Sequence, residues 1–333
     1  MRDHGGNIDS AMAQFGGAAA DWIDLSTGIN RQPYPVPDLP ISAWTMLPTH
    51  TANDALLAAV RAHYQTTAPV LAIAGAQAAI QMIPWLAQPG PHRRARVLGP
   101  TYNEHAASLR AAGWHVTEVS RLDDLAGADI AVVVNPNNPD GQTHTPADLL
   151  AMVARVGRLV VDESFADIRP DVTMLPHAGM DKLLILRSFG KFWGLAGARL
   201  GFVFGPQGDI TALAASAGPW PVSGAALDVG LQAYCDIPWA NQTRQRLQAE
   251  IPQIDALALS AGWTLAGGTA LFRLYHTPDA KAAQTHLARA HIWSRLFPWH
   301  ENWLRLGLPG SALEWHRLAD ATTKIAKHRS DIR

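Results

Sequence analysis

The chain has 333 residues, 48% hydrophobic and 17% charged, enough for one large core or two unequal globular domains. A formal net charge of −1 leaves no basic excess to neutralise a phosphate backbone, which argues against nucleic acid as a partner. A single cysteine, Cys235, excludes an internal disulfide framework and a cysteine-rich metal site, and fits a reducing compartment. No signal-peptide pattern opens the chain, and no uncharged apolar run approaches the roughly 20 residues that span a bilayer. The expectation is a cytoplasmic protein with no membrane partner and no bound metal.

Taken in chain order, the Pro-rich stretch through Pro33, Pro35, Pro37 and Pro40 predicts an extended segment draped across a domain. From about 50 to 220, helical patterns alternate with short apolar runs. Helices are expected over 54–64, 77–86, 103–112 and 146–156, the last with Thr145 as N-cap. Strands are expected over 71–74, 96–98, 129–134, 158–162, 183–188 and 200–204. Such alternation predicts an α/β fold with a mostly parallel sheet covered on both faces, and ligands at the carboxyl ends of its strands. Beyond about 222 a long helical region, 225–260, is expected to break near Pro238 and Pro252. Strands over 263–265, 271–275 and 303–306 and a helix from 312 complete a smaller α+β domain. The division reads as an N-terminal arm (1–45) that is part of the small domain, a large domain (46–222) and a small C-terminal domain (223–333).

The residues at those strand ends share one chemistry. Lys191 stands out because only five of 27 basic residues are lysines, and Phe192, Trp193 and Leu195 surround it. Partial burial favours a neutral, nucleophilic amine. Pyridoxal 5′-phosphate (PLP) needs such an amine, and it needs a carboxylate against its pyridine nitrogen. Asp162, emerging from an apolar strand, suits that second role. Asn138, in the turn 135–141, is placed to donate to the ring oxygen. The phosphate calls for a Gly-initiated helix start, found at Gly75-Ala76-Gln77, for a hydroxyl from Ser188 and for a bidentate cation, Arg199. Tyr102 can stack on the ring face. Each residue alone has an ordinary reading as a turn, a cap or a surface side chain; their joint order does not. Competing motifs fail: no Gly-x-Gly-x-x-Gly follows a strand, and His300-Glu301 lacks a second histidine at zinc-ligand spacing.

The segments 135–141, 162–167 and 188–201 together resemble the fold-type I superfamily of PLP-dependent aminotransferases. The resemblance implies a large PLP-binding domain with a mostly parallel seven-stranded sheet, a small domain drawn from both chain ends, and a homodimer. It makes Lys191 the Schiff-base lysine, Asp162 the pyridinium partner, Asn138 the ring-oxygen donor, Tyr102 the stacking ring, and Ser188 with Arg199 the phosphate anchors. More narrowly, His4-Gly5-Gly6-Asn7 and the run from Asp24 through Gly28 to Asn30 look like the opening of threonine-phosphate decarboxylases of cobalamin biosynthesis. These are relatives of histidinol-phosphate aminotransferases. That similarity implies a small phosphorylated amino acid as substrate, with Arg305 holding its carboxylate, Arg295 and His4 its phosphate, and Gly28 and Asn138 also at the substrate. An aminotransferase of the histidinol-phosphate type is the alternative. Three departures stand out. Phe165 replaces a common tyrosine, which favours decarboxylation. Gly190 replaces a common Ser or Thr before the lysine, and the region around Met46 lacks a tyrosine that relatives lend across a dimer.

Overall fold

Five consecutive aliphatic residues, Ile130–Val134, are buried without exception, as expected of a strand covered on both faces. In the computed structural model, which describes residues 4–86 and 93–330, this strand lies inside a seven-stranded sheet. From edge to edge the order is Val70–Ile73, Gly201–Phe204, Leu183–Ser188, Leu159–Asp162, Ile130–Val134, Arg94–Leu98 and His115–Val119. Gly201–Phe204 runs antiparallel to both its neighbours; the remaining pairings are parallel. The mostly parallel sheet is as expected.

Register places the chemistry. Val134 pairs with Asp162, and Asp162 with Leu186. Gly201 stands opposite Ile73 on one side and Ser188 on the other. Four carboxyl ends therefore open on the same edge of the sheet, where an α/β fold binds its ligands.

This sheet belongs to a compact unit of residues 34–138 and 142–241, wider at both ends than 46–222. The helix Gly224–Cys235 packs on His50–His63 within it, and Tyr34 N–H donates to Trp193 O at 2.8 Å. The helix expected at 54 starts at His50, because the Thr49 side chain accepts from Ala52 N. The one expected over 77–86 is an α-helix, Ala76–Met82, followed by a 3-10 turn, Ile83–Trp85, that contains Pro84. Thr145 caps Pro146–Val153 through a reciprocal pair with Asp148. Among the elements not anticipated from sequence are the largely exposed edge strand His115–Val119 and the helix Gln207–Ala217.

The second unit joins residues 1–33, 139–141 and 242–333, so both chain ends contribute to it. Its antiparallel sheet runs Arg295–Phe297, His300–Gly307, Phe272–His276, Thr264–Thr269. Ile23–Asp24 adds a short parallel pair with Ile292–Trp293. Neither proline breaks Ile237–Ser260. The interruption falls at Asp236, whose carboxylate accepts from Trp239 N at 3.0 Å. That makes it an N-cap and leaves Pro238 in the first turn, where no N–H is needed. Pro252 is accommodated inside the continuous helix. No helix among the described residues is long and apolar enough to cross a membrane.

Candidate active site

One pocket of the large unit is lined by all nine of its residues proposed from sequence for the cofactor: Gly75, Ala76, Gln77, Tyr102, Asn138, Asp162, Ser188, Lys191 and Arg199. Asp162 ends its strand buried. His105 Nε2 donates to its Oδ2 at 2.8 Å, and Ser164 gives its Oδ1 two bonds, from N at 2.9 Å and Oγ at 2.5 Å. Burial alone would raise the Asp162 pKa; the His105 contact and the Ser164 donors outweigh it and hold the carboxyl below its ordinary value.

Lys191 sits in the single helical turn Phe189–Phe192 that follows Ser188. Its base is aromatic. Trp193 stacks on Trp239 (5.2 Å, 14°) and on Phe189 (5.7 Å, 22°), and Phe192 meets both tryptophans edge-on. Such a packed platform restrains the backbone that carries the amine. Phe165 also lines the pocket, and Lys191 Nζ lies 5.6 Å from its ring centroid. Gly190 has a steric reason: a Cβ there would lie 2.8 Å from Ala196 Cα, so Ser or Thr would displace the backbone after the lysine.

Gly75 caps Ala76–Met82 at φ 76°, a conformation that favours glycine. A Cβ on it would fall 2.9 Å from Arg199 Nη2. The missing side chain is therefore what lets the guanidinium approach this loop. Arg199 itself is held at φ 50°, a left-handed conformation uncommon outside glycine. Across the pocket, Thr101 Oγ1 donates to Asn137 Oδ1 at 2.6 Å and Asn137 Nδ2 to Pro100 O at 3.0 Å. These bonds tie the turn bearing Asn138 to the loop bearing Tyr102.

Behind the strand ends lies a buried charged group that the sequence did not announce. Arg187, next to Ser188, reaches Glu163 Oε2 at 3.3 Å and Asp167 Oδ1 at 3.4 Å, and lies 4.3 Å from the Tyr64 ring centroid. Burial raises the Glu163 pKa against the opposing pull of Arg187. His105 was also missed: it lies 57 residues from Asp162 in sequence, and a single histidine on a short helix carries no local signal.

In the small unit, His4 and Arg295 line one cleft together with Lys281, Ser294 and His300. Arg305 pairs directly with Arg295 across adjacent strands. It is buried, and its Nη2 donates to Ser26 O at 2.5 Å. Burial, with the like charge of Arg295, pushes the Arg305 pKa down to about 9. Arg305 and Gly28 are not among the residues lining the cleft; Gly28 is buried at φ 64° in the backbone before Asn30.

With this geometry in place, known proteins supply the comparison. The family model described as aminotransferase class I and II matches residues 41–321. A threonine-phosphate decarboxylase from Sinorhizobium is 41% identical over 332 residues, 97% of this chain and 98% of that protein. Another, from Pseudomonas aeruginosa, is 42% identical over 96% of each chain. Among solved structures, histidinol-phosphate aminotransferase from Sinorhizobium meliloti in complex with pyridoxal-5′-phosphate superposes with a TM-score of 0.81 at 17% identity, covering 96% of this chain and 94% of that one. The chain belongs to the aminotransferase class I and II family.

Proposed function

We propose that this protein is a PLP-dependent carbon–carbon lyase of cobalamin biosynthesis. It decarboxylates L-threonine O-3-phosphate to (R)-1-amino-2-propanol O-2-phosphate. The observation that carries the reading is the 41–42% identity, over nearly the whole of each chain, to two threonine-phosphate decarboxylases.

The pocket residues fit the cofactor. The cradle at Gly75, which a Cβ would fill against Arg199, suits a phosphate held by Arg199, Ser188 and the backbone of Ala76 and Gln77. Asp162, with its pKa lowered, presents a negative charge for the pyridine nitrogen, and His105 and Ser164 keep it aimed. Asn138 would donate to the ring oxygen and Tyr102 would cover a ring face. Bound there, PLP supplies a carbonyl for an amine and an electron-accepting ring. Lys191 supplies the amine. In the net reaction the bond from Cα to the carboxylate breaks, CO2 leaves, and a proton is added to the same carbon. Lys191 is the group we assign to deliver that proton.

The small unit answers the other requirement. A substrate with a carboxylate and a phosphate needs separate cationic contacts, and arginine meets each with two parallel hydrogen bonds. We assign the carboxylate to Arg305 and the phosphate to Arg295 and His4, with Gly28 shaping the backbone beside them. A bound anion would relieve the repulsion between the two arginines. The phenylalanine at 165, near Lys191, favours decarboxylation over the aminotransferase alternative, since the pocket lacks a hydroxyl there.

The deciding assay supplies L-threonine O-3-phosphate to PLP-loaded protein with no 2-oxo acid and follows CO2 and aminopropanol phosphate. Both should appear together. Turnover that begins only on adding 2-oxoglutarate would overturn the lyase reading in favour of an aminotransferase.

We further assign the protein to the cytoplasm as a homodimer. Ile41, Trp44, Met46 and Leu47 are each more than 60% exposed beside a short helix, Ser42–Thr45, that packs on Gly224–Cys235. Such a cluster of bare apolar side chains favours association with a second copy. Light scattering should give twice the chain mass, and Trp44→Arg should shift it to monomer; a monomeric wild type would refute this assignment.

A further inference from the structure

A second acidic residue reaches the cofactor pocket indirectly. Glu104 opens the helix Glu104–Ala111 and is buried. Its Oε2 accepts from Gln77 Nε2 at 2.9 Å, and Gln77 Oε1 accepts from the Tyr102 hydroxyl at 3.2 Å. A glutamine amide has one donating and one accepting end. A carboxylate accepts, so Gln77 must turn its NH2 towards Glu104, which turns its carbonyl towards Tyr102. The phenol then has to be the donor. Tyr102 gains a second brace from the His105 ring, edge-on at 6.2 Å and 84°. Gln77 and Tyr102 line the pocket; Glu104 does not.

We propose that Glu104 is a positioning residue for the cofactor. By orienting the Gln77 amide, it sets the hydrogen bond of the Tyr102 phenol and so the plane of the Tyr102 ring on the pocket wall. The inference rests on the reading that this pocket takes PLP. It accounts for a buried carboxylate that has no part in the chemistry itself. It also gives the amide side chain of Gln77 a purpose apart from its backbone.

The test is a double-mutant cycle on PLP-loaded full-length protein, with Glu104→Ala, Tyr102→Phe and the pair. Two readouts are taken: the cofactor dissociation constant from equilibrium dialysis, and the circular dichroism induced in the cofactor's visible band. One buried hydrogen bond corresponds to about a three- to tenfold effect, so Glu104→Ala should weaken PLP binding by about that factor and alter the induced dichroism. In the Tyr102→Phe background the same change should have an effect of less than about twofold. Glu104→Gln, whose amide oxygen still accepts from Gln77, should restore both readouts. Equal effects of Glu104→Ala in the two backgrounds would overturn the proposal, as would failure of Glu104→Gln to restore the dichroism. If Glu104→Ala does not fold, Gln77→Met takes its place in the cycle with the same expectations. Wild-type protein that takes up no PLP would instead overturn the pocket reading itself; normal uptake with an additive cycle would sink only the role of Glu104.

Discussion

The two units hold their buried charges in opposite ways. In the large unit, Asp162 is supplied by its own neighbours: three hydrogen bonds from His105 and Ser164 hold the carboxylate ionised despite burial. In the small unit, burial and then the like charge of Arg295 lower the Arg305 pKa, against the opposing charge of Asp24. Around Asp162 the neighbours outweigh burial; around Arg305 burial and a like charge outweigh the opposing charge of Asp24. A resident cofactor suits the first arrangement, because its site must be ready-made. A substrate that binds and leaves on every turnover suits the second, where an anion would offset the like charge of Arg295.

That contrast predicts a clean division of mutant effects. Lys191→Ala should have the largest. It should abolish the visible band of the Schiff base between lysine and cofactor and cut turnover by about 10²–10⁴-fold, the range expected for losing the acid–base group. A visible band that survives would move the centre of the chemistry elsewhere. Arg305→Ala should leave that absorbance and the PLP affinity unchanged while raising KM by about a hundredfold, since truncating a buried charge partner costs about 3 kcal/mol. A parallel loss of PLP affinity would break the division between the units.

The pH dependence sharpens it. Arg305 is a base whose pKa is pushed down to about 9, so it carries its charge below that value and loses it above. Anion binding favours the charged form. KM for L-threonine O-3-phosphate should therefore be flat from about pH 7, where the substrate phosphate is fully ionised, to about pH 9, and rise above that by up to about tenfold per pH unit. Asp162 works in the opposite sense. Its carboxyl is an acid held below the ordinary value, so its contribution is complete above the usual carboxylate range and is lost only as pH falls below it. Cofactor retention should not change through the alkaline window that weakens the substrate.

Most of the cofactor site could be read from the chain because parallel strands are written as unbroken apolar runs, and polar residues that follow such runs are conspicuous. Asp162, Ser188 and Asn138 were visible for that reason, and Lys191 through the scarcity of lysine. What escaped notice depends on contacts distant in sequence. His105 and Glu104 sit on an ordinary helix, and nothing nearby shows that one meets Asp162 and the other Gln77. Arg187 was hidden in another way: it interrupts an otherwise apolar strand, yet its partners come from the loop after the neighbouring strand. The break expected near Pro238 falls at Asp236, whose capping carboxylate starts the second helix. The one expected near Pro252 is absent, because that proline is accommodated inside the helix. Gly190 looked like a lost phosphate contact, and only the position of Ala196 shows that a larger residue would not fit.

The smallest expected effect tests how far the ring side of the site can change without touching the substrate side. Phe165 is buried on the pocket wall, with Lys191 Nζ 5.6 Å from its ring. Phe165→Tyr adds one hydroxyl to this wall, and a single hydrogen bond is worth about 1 kcal/mol net, or about fivefold. The change should fall on kcat and on the pH at which the visible band titrates. Some substrate should then divert into amino transfer, seen as pyridoxamine phosphate accumulating over many turnovers. KM should stay within about twofold, because the carboxylate and phosphate contacts are assigned to the other unit. If KM moved as much as kcat, residue 165 would have to act on the substrate directly, and the assignment of ring chemistry to one unit and anion recognition to the other would fail at that point.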